Sequence, residues 1–219
     1  MMNKETSMQE ARGYFKDGMT LMIGGFLAVG TPESLIDALV EDNIKDLTVI
    51  ANDTGFPDRG VGRLVVSRQV KKVIVSHIGT NPETGKQMFA KELAVELVPQ
   101  GTLAERIRCG GAGLGGFLTP TGLGTVVEEN KQKMRLNGVD YLLELPLRAD
   151  LALLRAKKAD RSGNLVYDQA ARNFNPLMAM AAELVIVQAD EIVETGAIDP
   201  DQVVTPGILV DKIICVGGR

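Results

Sequence analysis

Tryptophan is absent from this 219-residue chain, histidine occurs once, and there are two cysteines. One histidine and two distant cysteines, Cys109 and Cys215, cannot assemble a structural zinc site, which needs four nitrogen or sulfur ligands. Two cysteines are also too few for a disulfide scaffold, which fits a reducing compartment. A surplus of positive charge is missing as well: 24 Lys and Arg stand against 28 Asp and Glu, for a net charge of −4. That balance argues against a general grip on nucleic acid through its phosphates. No apolar run approaches the roughly 18 residues of a membrane span, and the opening MMNKETSMQEARGYF has no apolar core of a signal peptide. The expectation is a soluble cytoplasmic protein with no metal, nucleic-acid or membrane partner. What is present is glycine, 24 residues of it, in an ordinary globular mixture that is 45% hydrophobic and 24% charged.

Along the chain, Ser7-x-x-Glu10 forms a capping-box pattern that opens a short helix with Ala11, Tyr14 and Phe15 on its inner face. Met19–Ile23 is a short apolar strand that stops at Gly24-Gly25, and Pro32 starts a helix with Leu35, Ile36, Leu39 and Val40 at helical spacing. Strands follow at Leu47–Ile50, Val70–Val75 and Leu93–Val98, with polar exits at Asn52-Asp53-Thr54-Gly55 and His77–Glu83. Short buried strands alternating with helices predict an α/β fold, an open and mainly parallel sheet with helices on both faces.

The second half differs. Residues 110–124 are too rich in Gly, Thr and Pro for a helix or a central strand. Met134–Leu136 and Tyr141–Leu145 flank Asn137-Gly138, the pair that suits a two-residue hairpin turn. Asp150–Ala156, Leu184–Val187 and Lys212–Val216 are further strand candidates. Nothing marks a linker, so residues 1–219 are expected to form a single domain with the hairpin as a small appendage.

Ligand crevices of open α/β sheets lie outside the carboxyl ends of the strands, where the glycine-rich loops stand. In Gly24-Gly25-Phe26-Leu27-Ala28-Val29-Gly30, glycines let the backbone approach a ligand, and the next helix aims N–H groups at an anion; a plain strand-to-helix turn explains the same spacing. Gly111-x-Gly113-x-x-Gly116 matches the dinucleotide pattern as a string. Its context fails, because helical spacing leads in and Thr-Pro-Thr-Gly follows. Gly79 to Lys86 resembles a phosphate loop but carries Gln87 where Ser or Thr is required. His77 is expected to be a structural residue, and Cys109 a small packed one. The acid–base candidates Glu105, Glu128, Glu129 and Asp160 fit solvated surface carboxylates. The residues support a small-molecule crevice and name no nucleophile.

Ordered blocks of sequence then resemble one family. Asp17-Gly18-x-x-Leu21-Met22-Ile23-Gly24-Gly25-Phe26-x-x-x-Gly30-x-Pro32 is similar to the signature of alpha subunits of the 3-oxoacid (family I) coenzyme A transferases. The resemblance continues through Asn52-Asp53-x-Gly55, the run Pro99–Arg108, Gly110–Gly113, Thr119–Gly122, Ala159-Asp160-Arg161-x-Gly163-Asn164 and Ala171–Pro176.

That resemblance implies transfer of CoA between short-chain acids such as acetate, butyrate and acetoacetate, with acyl-CoA as substrate and no permanently bound cofactor. A carboxylate attacks the thioester and the reaction passes through an anhydride and an enzyme–CoA thioester, splitting one hard transfer into easier steps. In the family the nucleophile is a glutamate in a Ser-Glu-Asn-Gly motif on the beta subunit. This chain has no such string; Val127-Glu128-Glu129-Asn130 is a superficial echo. The resemblance therefore implies a beta-subunit partner, a heterotetramer of two alpha and two beta chains, and an active site across the interface. It gives the 24–30 loop to CoA binding, Gln100 to oxyanion donation and Asn52 to positioning of the partner's carboxylate. A sugar-phosphate isomerase of related fold and a non-catalytic small-molecule sensor are the alternatives. The first needs its own acid–base residue and phosphate clamp; the second is normally fused to a DNA-binding module.

Overall fold

The computed structural model describes residues 3–216; residues 1–2 and 217–219, the ends of the expected 1–219 domain, lie outside them. The first half runs α1 (Met8–Arg12), β1 (Thr20–Ile23), α2 (Glu33–Glu41), β2 (Leu47–Ile50), α3 (Val61–Val66), β3 (Val70–Val75), α4 (Pro82–Phe89), β4 (Ala94–Leu97) and α5 (Gln100–Gly111). The second half runs β5 (Phe117–Thr119), β6 (Lys133–Leu136), β7 (Val139–Glu144), β8 (Ala149–Asp160), β9 (Leu165–Val166), α6 (Asn175–Met180), β10 (Ala182–Val193) and β11 (Lys212–Cys215).

Seven strands lie side by side in the order β11-β10-β8-β1-β2-β3-β4, and every pair along that path is parallel. The short β9 pairs antiparallel with the outer half of β8. Alternation along each strand sends side chains to both faces. Leu21 and Ile23 pack with Leu35, Ile36 and Leu39 of α2 and Leu64 of α3, whereas Met22 packs on the other face with Leu103 and Ile107 of α5 and Met178 of α6. Two apolar layers thus sandwich the sheet, as the unbroken apolar strands predict.

Local signals behave as their chemistry requires. Ser7 Oγ accepts from the Glu10 amide (3.1 Å) while Glu10 accepts from the Ser7 amide (3.1 Å), completing the capping box. The helix nevertheless ends at Arg12, so Tyr14 and Phe15 follow it in the turn, with Phe15 still buried. The His77–Glu83 exit is shorter than expected, because Asn81 caps α4 and Pro82 begins it. Asn137 (φ 50°) and Gly138 (φ 80°) form the tight turn of the β6–β7 hairpin, and β5 adds a third strand to that small antiparallel sheet.

Two expectations need correction. Helix α5 continues through Gly110 and Gly111, residues assigned above to a loop. A Cβ on Gly110 would lie 1.9 Å from the Leu147 carbonyl oxygen, and one on Gly111 would lie 2.5 Å from Met180 Cβ. Close packing of neighbouring chain against the last turn demands glycine there and outweighs its cost in a helix of about 1 kcal/mol. Strands β8 and β10 also run to 12 residues each, past their apolar cores. Continuous pairing from Ala182–Ala149 to Val193–Asp160, with cross-strand partners such as Lys158 and Glu191 (3.1 Å), carries them through charged sequence.

Candidate active site

Because the central strands are parallel, the segments leaving β1, β2 and β3 and the start of α5 after β4 meet at one edge of the sheet. The segment after β1 is a reverse turn: the Phe26 amide donates to the Val29 carbonyl (3.0 Å) and the Val29 amide to the Phe26 carbonyl (2.9 Å). Its two central residues are Leu27 (φ 46°) and Ala28 (φ 68°), where Asn-Gly is the comfortable pair. Holding side-chain-bearing residues there costs on the order of 1–3 kcal/mol each and requires outside support.

That support comes from Asn173, just before α6, and Asn175, its first residue. Asn173 accepts from the Gly25 amide (3.1 Å) and donates to the Val29 carbonyl (2.9 Å). Asn175, fully buried, donates to the Gly30 carbonyl (3.0 Å) and accepts from the Arg155 amide (3.1 Å). The contact is so close that a Cβ on Gly24 would lie 1.9 Å from Asn175 Oδ1. The sequence reading missed both asparagines as supports, although they stand in the Ala171–Pro176 block; two asparagines flanking Phe174 and followed by proline were the available signal.

Beneath the turn lies an amide pair. Asn52, 2% exposed and just past β2, presents Oδ1 to Nε2 of Gln100, the first residue of α5 (2.7 Å). Asn52 Nδ2 donates to Asp53 Oδ2 (2.6 Å), which also accepts from the Leu27 amide (2.9 Å). Phe26, Leu27, Asn52, Ser76, His77 and Gln100 line a cavity of about 370 Å³. The structure therefore brings Asn52, Gln100 and, from the glycine loop, Phe26 and Leu27 to one cavity. Ala28, Val29 and Gly30 face a second cleft of about 280 Å³, beside Arg155, Lys157 and Asp190. Gly24 and Gly25 are buried against Asn175 and Thr31 and line neither cleft.

None of the residues lining the first cavity is a carboxylate. His77 is exposed on its rim, and its backbone carbonyl accepts from the Thr54 amide (3.2 Å). Cys109 is buried in α5. The remaining acid–base candidates are occupied elsewhere: Glu105 accepts from Arg108 (2.8 Å), Glu129 is exposed, and Glu128 accepts from the Gly124 amide (2.8 Å) and pairs with Lys133. The Gly124 amide and then Lys133 lower the Glu128 pKa.

Asp160 departs from the solvated carboxylate expected of it, because it is 1% exposed. Burial opposes its charge, but donors on Asn164 and Ser162 outweigh burial and hold its pKa below the ordinary value. It closes the turn between β8 and β9. Among the described residues no group of three His, Cys, Asp or Glu is placed to hold a metal ion, and no helix is long and apolar enough to cross a membrane.

Comparison with known proteins identifies relatives of this arrangement. Residues 5–215 match the coenzyme A transferase family. The chain is 61% identical over 214 residues to the acetate CoA-transferase subunit alpha of Escherichia coli, covering 98% of this chain and 97% of that one. It is 54% identical to the acetoacetyl-CoA:acetate/butyrate CoA transferase alpha subunit of Clostridium acetobutylicum, covering 98% of each. Among solved structures, an E. coli acyl-CoA transferase in a thioester complex with CoA superposes with a TM-score of 0.90 at 24% identity. The alignment covers 98% of this chain and 47% of that one, so the chain spans about half the solved enzyme's length. Glutaconate coenzyme A-transferase of Acidaminococcus fermentans superposes at 0.87 with 19% identity, covering 98% and 76%.

Proposed function

The chain belongs to the coenzyme A transferase family, and on that premise we propose that it is the alpha half of an enzyme moving CoA between short-chain acyl-CoA or 3-oxoacyl-CoA and acids such as acetate, butyrate or acetoacetate. The observation that carries the reading is a cavity with a neutral amide donor, Gln100, and no carboxylate in its lining. Such a cavity suits a nucleophile brought by another subunit. Two relatives named as alpha subunits support a partner, as does the solved enzyme of about twice this length.

In the proposed reaction a glutamate of the beta subunit, in a Ser-Glu-Asn-Gly motif, attacks the acyl-CoA carbonyl. The C–S bond breaks, giving an acyl-glutamyl anhydride and free CoA thiolate. The thiolate then attacks the glutamyl carbonyl, releasing the first acid and leaving a glutamyl-CoA thioester. A second carboxylic acid reverses these steps and departs as its own CoA ester. Each attack puts negative charge on a carbonyl oxygen, and Gln100 Nε2–H stabilises it without a charge of its own. Asn52 holds Gln100 and helps to place the incoming glutamate, and the 24–30 loop lies along the CoA. CoA and acyl-CoA come and go as substrates. We place the pair in the cytoplasm as a heterotetramer, with this chain acting as one domain. The isomerase and sensor alternatives are not favoured, since the family match spans nearly the whole chain.

The test is reconstitution. This chain, co-purified with a partner carrying Ser-Glu-Asn-Gly, is expected to form acetyl-CoA from acetoacetyl-CoA and acetate, while either subunit alone does nothing. Turnover by this chain alone would overturn the split site. A panel of acids on the assembled pair then ranks the substrates.

A further inference from the structure

We propose that Asp53 is a positioning residue that sets the direction of the Gln100 amide through Asn52, an inference that rests on the oxyanion role of Gln100. The argument follows from which atoms can donate. Both Asp53 oxygens face N–H donors: Oδ1 accepts from the Gly55 amide (2.7 Å), and Oδ2 from the Leu27 amide (2.9 Å) and Asn52 Nδ2 (2.6 Å).

A carboxylate has nothing to donate, so the buried Asn52 amide must turn its NH₂ toward it. Asn52 Oδ1 then necessarily faces Gln100, and Ser76 Oγ lies 3.2 Å from the same oxygen. Facing an acceptor, Gln100 must in turn present its NH₂, and it does so at 2.7 Å. One hydrogen of Nε2 goes to Asn52. The other has no partner among the described residues and remains available to the cavity. Three side chains thus act as a relay of polarity: the acceptor-only end fixes each amide beyond it.

The same Asp53 oxygen holds the Leu27 amide, tying the strained turn to the relay. Replacing Asp53 with asparagine removes the constraint. Asn52 can then reverse, donate to Gln100 and draw Gln100 Oε1 toward itself, which displaces the donor from its place beside the substrate oxygen.

The experiment is a double-mutant cycle on the assembled alpha–beta enzyme using Asp53→Asn, Gln100→Ala and both together. Asp53→Asn is expected to lower kcat at least about tenfold, with KM for the acceptor acid changed less than about threefold. Added to Gln100→Ala, it is expected to cause no further loss, because the group it directs is already gone. Losses that multiply in the double variant, or full turnover by Asp53→Asn beside a crippled Gln100→Ala, would overturn the relay and leave the oxyanion role standing. Full turnover by Gln100→Ala would overturn that role and the relay with it. Should Asp53→Asn fail to assemble with its partner, Asp53→Ser, whose hydroxyl can donate as well as accept and so also lacks the acceptor-only end, takes its place in the cycle and must show the same non-additivity.

Discussion

Gln100 donates to Asn52 across 2.7 Å although 48 residues separate them, because α5 begins beside the exit of β2 at the same sheet edge. This contact leaves an uncharged N–H beside the cavity, and the first prediction concerns that group. Gln100→Ala in the assembled enzyme is expected to lower kcat by about 10²–10³, or roughly 3–4 kcal/mol of barrier, with a smaller change in KM. Steady-state kinetics at saturating acid distinguish this from lost binding.

The glycine at position 30 tolerates no side chain. Its φ is 76°, and a Cβ would stand 2.6 Å from the Ala171 carbonyl oxygen. Gly30→Ala should destabilise the chain by roughly 1–3 kcal/mol and reduce activity further by moving the turn. A melting curve beside an activity assay separates the two effects.

Asn175 is the buried support behind that turn. Truncation in Asn175→Ala leaves the Gly30 carbonyl and the Arg155 amide without this partner, at about 1–3 kcal/mol for each group stranded. Calorimetry should show Tm falling by roughly 2–4 °C for each kcal/mol lost. A variant melting like the parent would remove Asn175 from the support.

Acid sensitivity should trace in part to Asp160. Despite the opposing effect of burial, hydrogen bonds from Asn164 and Ser162 hold its pKa below 3.8, the ordinary value. Its stabilisation is therefore complete above about pH 4 and is lost as pH falls through the lower folded value. Asp160→Asn should be less stable than the parent near neutrality and should lose less between pH 5 and 3. Denaturant midpoints across that range measure the difference.

The parallel sheet was legible because its strands are short, apolar and bounded by polar exits, as at Leu47–Ile50 followed by Asn52. Ser7–Glu10 and Asn137-Gly138 were equally plain, since each pattern closes on itself within a few residues. The helical Gly110-Gly111 could not be read, because its reason is Leu147 and Met180, distant in sequence. Asn173 and Asn175 were hidden likewise: they act on a turn about 145 residues earlier. The family resemblance supplied Gln100 and Asn52 as candidates; their meeting, and the hold of Asp53 on Asn52, arise only in the folded chain.

The Leu27–Ala28 turn has a practical consequence for anyone engineering this protein. Glycine at position 28 would relax a backbone held at φ 68°, and the strain relieved, about 1–3 kcal/mol, exceeds the roughly 0.4–1 kcal/mol that glycine adds in unfolded-chain entropy, so melting temperature should rise. A selection for heat resistance alone would therefore favour loosening the tip beside the candidate cavity. If the loop serves CoA as proposed, durability and turnover compete at that tip, and a useful screen must score turnover in the same round as survival.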